Sequence, residues 1–200
     1  MFTGIIQDVG SIESIQQESD QTHMVFNTAL DMANWKLGDS VACNGCCLTI
    51  TAFPDKGSFA ATLSLETLSL TTFAQTAVQD PINLEPALCM GDALGGHMVT
   101  GHIDGIGEVQ SVREIGEHRE YAFVVPDALA RYVVVKGSIC INGVSLTVNR
   151  VGRNDFTVNL IPHTLSHTNL GALQAGAKVN IETDMYGRYV ERLMQFSTEK

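Results

Sequence analysis

Charged and aromatic side chains are scarce in this sequence, and basic residues are the scarcer of the two charged classes. Of the 200 residues 17% are charged and 6% are aromatic, and 12 lysines and arginines stand against 22 aspartates and glutamates. The net charge of −10 repels nucleic acids and anionic membranes, so neither is an expected partner. The sequence also lacks an apolar run of the roughly 18 residues that a membrane helix needs, and it lacks a basic segment followed by an apolar stretch at its start. We therefore expect a cytoplasmic protein.

The number and spacing of the cysteines also give little support for disulfides or for a metal site. The five cysteines are Cys43, Cys46, Cys47, Cys89 and Cys140. An odd number of cysteines without an export signal argues against a disulfide framework. Cys43 and Cys46 have CxxC spacing, but no second pair follows to complete four ligands. We expect small core side chains here and no metal site.

The sequence does contain an internal repeat. Four blocks recur in the same order about half a chain apart: 3–6 with 100–103, 38–50 with 136–148, 66–71 with 163–168, and 83–85 with 180–182. Asn44-Gly45 and Asn142-Gly143 stand at equivalent positions between short apolar runs. Each pair predicts a two-residue hairpin, because both residue types tolerate positive φ. Several short strands in each half predict a closed barrel or a sandwich, since closure removes exposed edges.

The segment 184–200 alone has a clear helical period. Asp184 is a suitable N-cap. After it, apolar residues recur at intervals of three and four positions: Tyr186, Tyr189, Val190, Leu193, Met194 and Phe196. This stripe could pack on its own chain or on copies of itself in an oligomer, and the pattern alone leaves both alternatives open.

Five segments of the chain closely resemble riboflavin synthases. They are 1–6, 44–49, 95–102, 142–147 and 161–165, and they occur in the family's order over essentially the whole chain. The resemblance implies an all-β fold of two homologous six-stranded Greek-key barrels, at 1–92 and 93–183, followed by a C-terminal α-helix at 184–200. It also implies a homotrimer held largely by these helices, with active sites between subunits, and an association with lumazine synthase.

The reaction that this resemblance implies joins two copies of one molecule. Two molecules of 6,7-dimethyl-8-ribityllumazine exchange a four-carbon unit, which gives riboflavin and 5-amino-6-(ribitylamino)uracil. Two homologous half-sites could each hold one copy, and bringing them face to face supplies proximity and orientation. In the family, the first barrel of one subunit faces the second barrel of its neighbour. The chemistry needs a base and a nucleophile, and it demands no metal or organic cofactor.

His102, Cys47 and Ser145 are the candidate catalytic residues. His102 replaces an apolar residue, Ile5, at a repeat-equivalent position, and a histidine pKa of about 6.5 suits proton transfer near neutrality. Cys47 and Ser145 are equivalent, and each is followed by Leu-Thr. A thiolate is a competent nucleophile, whereas serine needs a neighbouring base; water or a ribityl hydroxyl could serve instead. We interpret His97 as support for the site or as structural, since on one unbroken strand it would point away from His102.

By the same resemblance, further residues bind the substrate. Hydroxyl groups suit the pyrimidine edge and the polyol chain, and glycines would let backbone amides approach a flat ring. The first half contributes Gly4, Ile5, Ile6, Leu48, Thr49, Thr62, Ser64, Glu66 and Thr67. The second half contributes Gly101, Ile103, Lys136, Leu146, Thr147, Ile161, His163 and Thr164. Asn142 stands where many family members have aspartate, which removes a carboxylate from that turn.

Two other functions are alternatives. The first is a non-catalytic antenna protein that binds lumazine or flavin. Such proteins depart from the synthases at the reactive positions, whereas Cys47, His97, His102 and Ser145 are all present here. The second is a flavin-binding barrel of a reductase, but the chain has no glycine-rich dinucleotide fingerprint after a strand and no partner domain.

Overall fold

The strands of this chain alternate between core-facing and outward-facing residues. In Gln21–Asn27, Thr22, Met24 and Phe26 are buried while the residues between them are partly exposed. This period of two buries one face of each strand, and closing the sheet leaves no free edge. The computed structural model, which describes residues 1–198, contains two closed barrels of six strands each. The predicted all-β fold of two Greek-key barrels with a C-terminal helix is confirmed.

Strand order is the same in both barrels. The first barrel consists of β1 Asp8–Gln17, β2 Gln21–Asn27, β3 Ser40–Cys43, β4 Cys46–Ala52, β5 Ser58–Ser64 and β6 Pro81–Pro86. The second consists of β7 Gly105–Ile115, β8 His118–Val124, β9 Ser138–Ile141, β10 Val144–Val151, β11 Asp155–Leu160 and β12 Lys178–Thr183. Around the first barrel the order is β1-β2-β5-β4-β3-β6, and the second barrel follows the equivalent order. The internal repeat is therefore a repeat of the barrel.

Short helices lie between the strands. They are α1 Leu65–Leu70, α2 Asp127–Ala130 and α3 Pro162–His167, with 3-10 turns at Thr72–Gln75 and Asn169–Ala172. The terminal helix α4 spans Met185–Thr198, and Asp184 Oδ1 accepts a hydrogen bond from the Tyr186 N–H at 3.1 Å at its start. The last two residues of the predicted helical segment, Glu199 and Lys200, lie outside the described residues. No helix within 1–198 is both long and apolar enough to cross a membrane.

Both predicted Asn-Gly hairpins are present. Asn44 and Gly45 have φ of 45° and 80°, and Asn142 and Gly143 have φ of 45° and 84°, so each turn has two residues with positive φ. The turns pack against each other: a Cβ on Gly45 would lie 2.6 Å from the backbone N of Gly143. Glycine is required there by the close approach as well as by φ.

Buried asparagines join the barrels at this contact. Asn83 Nδ2 donates to the Asn142 carbonyl at 2.8 Å, and Asn180 Nδ2 donates to the Asn44 carbonyl at 2.9 Å. The side-chain oxygen of Asn142 accepts the Asn180 N–H at 2.8 Å, and that of Asn44 accepts the Asn83 N–H at 2.9 Å. Asn142 therefore takes part in the hairpin turn and in the contact between the barrels, and an amide side chain suits both roles.

Two segments cross between the barrels. We call residues 1–6 the first arm and residues 97–103 the second arm. Phe2 and Val99 form an isolated antiparallel bridge between them, with N···O distances of 2.7 and 3.1 Å. Beyond the bridge, Ile6 packs against the core of the second barrel and Ile103 lies in the core of the first. Each barrel is thus completed by an arm that belongs to the other half of the chain.

Candidate functional site

In each barrel two neighbouring strands pair over only part of their length, and we call the region between their unpaired parts a cleft. Among the described residues, the β4–β5 ladder comprises only the pairs Ile50–Ala61 and Ala52–Ala60, with a bulge between them. The preceding part of β4 and the following part of β5 therefore diverge. The β10–β11 ladder likewise begins only at Val148. Strand edges that do not pair with each other leave backbone groups that other partners must bond.

The predicted site residues of the first half lie on the two strands and the helix beside the first cleft: Cys47, Thr49, Thr62, Ser64, Glu66 and Thr67. Cys47 is half-buried and Thr49 is exposed, and both alternate with the core residues of β4. Glu66 and Thr67 lie on α1, which Ser64 caps by accepting the Thr67 N–H at 3.1 Å. The side chain of Leu48, a predicted contact, belongs to the core of the first barrel, so only its backbone faces the cleft.

The predicted site residues at equivalent positions of the second half lie on β10 and at the start of α3, beside the second cleft: Ser145, Thr147, Ile161, His163 and Thr164. His163 and Thr164 lie on α3, and the ring of His163 stacks on that of His167 with 4.0 Å between centroids. Leu146 packs against the second core, as Leu48 does against the first. Lys136 is exposed, and its N–H donates to the Val148 carbonyl at 2.8 Å, where the ladder between β10 and β11 begins.

The arms complete the clefts of the opposite barrels. The Cys47 N–H donates to the carbonyl of Gly101 at 2.8 Å, and the Ser145 N–H donates to that of Gly4 at 2.8 Å. A Cβ on Gly101 would lie 2.5 Å from Cys47 Cβ, and one on Gly4 would lie 2.6 Å from Ser145 Cβ. The Gly101 end of the second arm, with exposed His102, therefore belongs to the first cleft, and the Gly4 end of the first arm belongs to the second.

Two buried carboxylates hold the arms. Glu85 on β6 accepts the N–H and the hydroxyl of Thr3, both at 2.7 Å, and the N–H of Gly4 at 2.9 Å. Glu182 on β12 accepts the equivalent groups of Thr100 and Gly101 at 2.6 to 2.9 Å. The N–H groups of both glycines are thus already bonded to carboxylates. The close approach that glycine permits here is to the strands that carry Cys47 and Ser145.

Ser145 has a histidine partner. His97 Nδ1 lies 2.6 Å from Ser145 Oγ, and the His97 N–H donates to the Thr3 carbonyl at 3.1 Å. Burial lowers the pKa of His97, although the charge of Asp184 opposes this. A neutral ring with its proton on Nε2 can accept the serine hydroxyl proton at Nδ1. The pair has the arrangement of a nucleophile and its base.

Sequence reasoning did not place His97 beside Ser145. Residues 97–102 form an arm with a single bridge and not one unbroken strand, and His97 and His102 reach different clefts. His97 also lies outside the repeated blocks, so the repeat offers no counterpart for comparison. A second contact was missed too: His23 on β2 lies 2.9 Å from the hydroxyl of Thr62 in the first cleft.

The remaining cysteines lie away from both clefts. Cys43 and Cys46 are buried in the first core, and burial raises the pKa of Cys46 to about 12. Cys140 is buried as well, and burial raises the pKa of its thiol. Cys89 is exposed. Within residues 1–198, no group of three or more His, Cys, Asp and Glu side chains has an arrangement that could hold a metal ion.

The comparison with protein families matches this duplication. The lumazine-binding domain model matches residues 3–87 and again residues 100–184. Both matches include the strands of one barrel together with part of the arm that precedes it. The fold and its two clefts therefore define a protein with two lumazine-binding domains in tandem.

Comparison with similar proteins identifies the family within this class. The chain is 42% identical to the riboflavin synthase of Brucella abortus (strain 2308), with 98% of this chain and 99% of that protein covered. It is 37% identical to the riboflavin synthase of Bacillus subtilis (strain 168), with coverage of 100% and 92%. Among solved structures, LumP complexed with riboflavin superposes with a TM-score of 0.84 at 29% identity, covering 92% of this chain and 100% of that one. The chain belongs to the riboflavin synthase family.

Proposed function

We propose that this protein is a riboflavin synthase. One molecule of 6,7-dimethyl-8-ribityllumazine binds in each kind of cleft, and a four-carbon unit passes between them to give riboflavin and 5-amino-6-(ribitylamino)uracil. The duplicated cleft carries this proposal, because a reaction between two copies of one molecule needs two sites of the same shape. Membership of the riboflavin synthase family supports the same reaction.

The two clefts differ in their reactive groups. The first holds the thiol of Cys47 with His102 on the adjoining arm, and the second holds the hydroxyl of Ser145 with His97 at 2.6 Å. Each cleft therefore has one candidate nucleophile and one histidine. We assign nucleophilic addition and removal of the 7-methyl proton to these four residues, and single substitutions decide which cleft holds the donor.

The hydroxyl side chains beside both clefts, together with Glu66 at the first and His163 at the second, are the proposed ligands of the ribityl chain. Glu66 and His163 occupy equivalent exposed positions on α1 and α3, next to Thr67 and Thr164. A polyol needs both donors and acceptors, which these side chains supply. Leu48, Leu146 and the other core-facing residues contribute backbone groups in this arrangement.

The active site is proposed to form between subunits of a homotrimer. Polar contacts fix α4 to its own second barrel: Arg188 binds Asp104 at 2.8 Å, and Arg131 binds Glu191 at 2.5 Å. Five apolar side chains of the helix remain 55% to 68% exposed: Tyr186, Tyr189, Val190, Leu193 and Phe196. Such a stripe on a tethered helix fits a second copy of the chain.

Both clefts also open to solvent with apolar side chains at their rims. Ile5 is 42% exposed and Ile161 is 49% exposed beside the second cleft, and Leu65 is 56% exposed beside the first. A neighbouring subunit would cover these side chains and bring a first cleft to face a second. A cytoplasmic location and an association with lumazine synthase are further proposals that rest on the family resemblance.

The second candidate function is ligand binding without turnover. The similarity to LumP, solved in complexes with 6,7-dimethyl-8-(1'-D-ribityl) lumazine and with riboflavin, favours it. The pairing of Ser145 with His97 favours the enzyme, because a passive binding site has no use for a serine activated by a base.

The deciding experiment is to incubate the purified protein with 6,7-dimethyl-8-ribityllumazine alone, without metal or nucleotide. Riboflavin formation is followed by absorbance and fluorescence. Repeated turnover is the expected result. Tight binding of the lumazine without riboflavin formation would overturn the enzyme and establish the binding protein.

A further inference from the structure

Glu85 and Glu182 are buried acidic residues that neither the binding nor the catalytic assignment uses. Their exposed fractions are 4% and 2%, and they occupy equivalent positions on the last strands of the two barrels. Their described hydrogen bonds go to the arms alone, with three donors on each carboxylate. A buried carboxylate is costly unless its oxygens are bonded, so each arm and its glutamate stabilise one another.

Each of the two glutamates lies on one barrel and holds an arm that contacts the other barrel. Glu182 lies on the second barrel, but the arm that it holds ends against Cys47 of the first barrel. Glu85 lies on the first barrel, and its arm ends against Ser145 of the second barrel. The same arm also orients the base, because the Thr3 carbonyl accepts the N–H of His97.

We propose that Glu85 and Glu182 are positioning residues, each of which places an arm that completes the cleft of the opposite barrel. Glu182 then controls the surroundings of Cys47, and Glu85 controls those of Ser145 and His97. The consequence for catalysis rests on the proposed function, whereas the consequence for the position of the arms does not.

The test is the rate at which iodoacetamide alkylates Cys47. A Cys89→Ser background removes the exposed thiol, and Cys43, Cys46 and Cys140 are buried. Glu182→Gln keeps the shape of the side chain but presents an amide N–H2 to a backbone N–H, so one bond to the arm is lost. We expect Cys47 to be labelled about three- to tenfold faster, which is the change that one lost hydrogen bond of this kind allows.

Glu85→Gln is the matched control. It makes the same substitution at the equivalent position, but Glu85 lies on the barrel that carries Cys47 and holds the other arm. Glu85→Gln should therefore leave the labelling rate of Cys47 within about twofold of the parent rate. Cys140 pairs with Glu182 across β9 and β12, so labelling of Cys140 in native protein reports local unfolding. Peptide mass spectrometry assigns each modification to its cysteine.

The proposal fails if Glu182→Gln leaves Cys47 labelling unchanged, or if both variants accelerate it equally. Should Glu182→Gln not fold, Thr100→Val removes the hydroxyl that donates to Glu182 and accepts the His102 N–H, and Thr100→Ser restores both bonds. Faster labelling in Thr100→Val with parental labelling in Thr100→Ser supports the proposal, and equal rates in both overturn it. The labelling needs no substrate, so an effect of Glu182→Gln on Cys47 can be measured even in a protein that makes no riboflavin. Failure of this proposal is therefore distinguishable from failure of the proposed function.

Discussion

The two halves of this chain share one framework and carry different reactive side chains. Both have a glutamate that holds an arm, a glycine with positive φ on that arm, and a cleft between diverging strands. At positions that are equivalent in the repeat, Cys47 corresponds to Ser145, Ile5 to His102, and Glu66 to His163. The framework that shapes the two clefts is duplicated, as the binding of two identical molecules requires. The reactive side chains differ between the clefts, because the two molecules play different roles in the reaction.

The largest effect should come from the serine and histidine of the second cleft. Ser145→Ala should lower kcat by about 10² to 10⁴, because it removes a nucleophile whose base is already in place. His97→Gln should have an effect of similar size. If the two act as one unit, the double variant should be no slower than the worse single variant.

Steady-state rates of riboflavin formation test this, with Ser111→Ala as the control. Ser111 is exposed on β7 of the same barrel and should keep the parental rate. Effects of Ser145→Ala and His97→Gln that multiply in the double variant would show that the two residues act independently. A larger loss from Cys47→Ser than from Ser145→Ala would instead make the first cleft the more reactive one.

The next effect concerns the arms. Gly101→Ala should lower the free energy of unfolding by about 2 to 4 kcal/mol, because it combines a positive φ with a Cβ in contact with Cys47. Gly4→Ala should cost a similar amount at Ser145. Gly116 also has a positive φ, of 62°, but a Cβ there meets nothing within 4 Å, so Gly116→Ala should cost about 1 kcal/mol. Urea unfolding measures all three, and equal losses would contradict the close contact of arm and cleft.

Much of the framework could be predicted from the sequence. The repeat predicted two equivalent domains, the Asn-Gly pairs predicted the hairpins, and the apolar stripe after Asp184 predicted α4. Alternation along β4 carried a further signal: if Cys47 and Thr49 point outward, then Leu48 must point into the core. The helices α1 and α3 were missed because six residues are too few to show a helical period.

The crossing of the arms could not be predicted by local reasoning. Sequence order places residues 1–6 beside the first barrel, yet Ile6 packs on the second. The arm is held between the two barrels because the Ser145 N–H donates to it and the Glu85 carboxylate accepts from it. The pairing of His97 with Ser145 joins residues 48 positions apart. Such contacts depend on how two complete barrels dock, and neither periodicity nor turn chemistry contains that information.

A smaller effect should appear in the pH dependence of the reaction. Burial lowers the pKa of His97, so the ring stays neutral and able to accept a proton to a pH below its ordinary value of about 6.5. The acid limb of kcat should therefore lie below pH 6.5 if His97 is the base, and His97→Gln should remove that limb. An acid limb that persists in His97→Gln would assign the base to another group, and His102→Gln would then be the next variant to measure.

The smallest effect should be on stability. Burial raises the pKa of Glu85 and of Glu182 above the ordinary value of 4.5, against the opposing effect of their hydrogen bonds to the arms. Between 4.5 and the raised pKa the folded protein binds protons that the unfolded chain has released. The free energy of unfolding should therefore fall as the pH rises through this window, and it should level off above the raised pKa.

Glu85→Gln and Glu182→Gln isolate this contribution, because glutamine does not titrate and all other groups cancel in the difference from the parent. Urea unfolding between pH 4.5 and 8 should show that each variant is most destabilised relative to the parent at the acid end, and that the difference shrinks as the pH rises. A difference that grows with pH would mean that the hydrogen bonds from the arm outweigh burial, and that the arm holds a charged carboxylate more tightly than a neutral one. A trend in opposite directions for the two variants would show that the shared framework of the two halves differs in its electrostatics as well as in its reactive side chains.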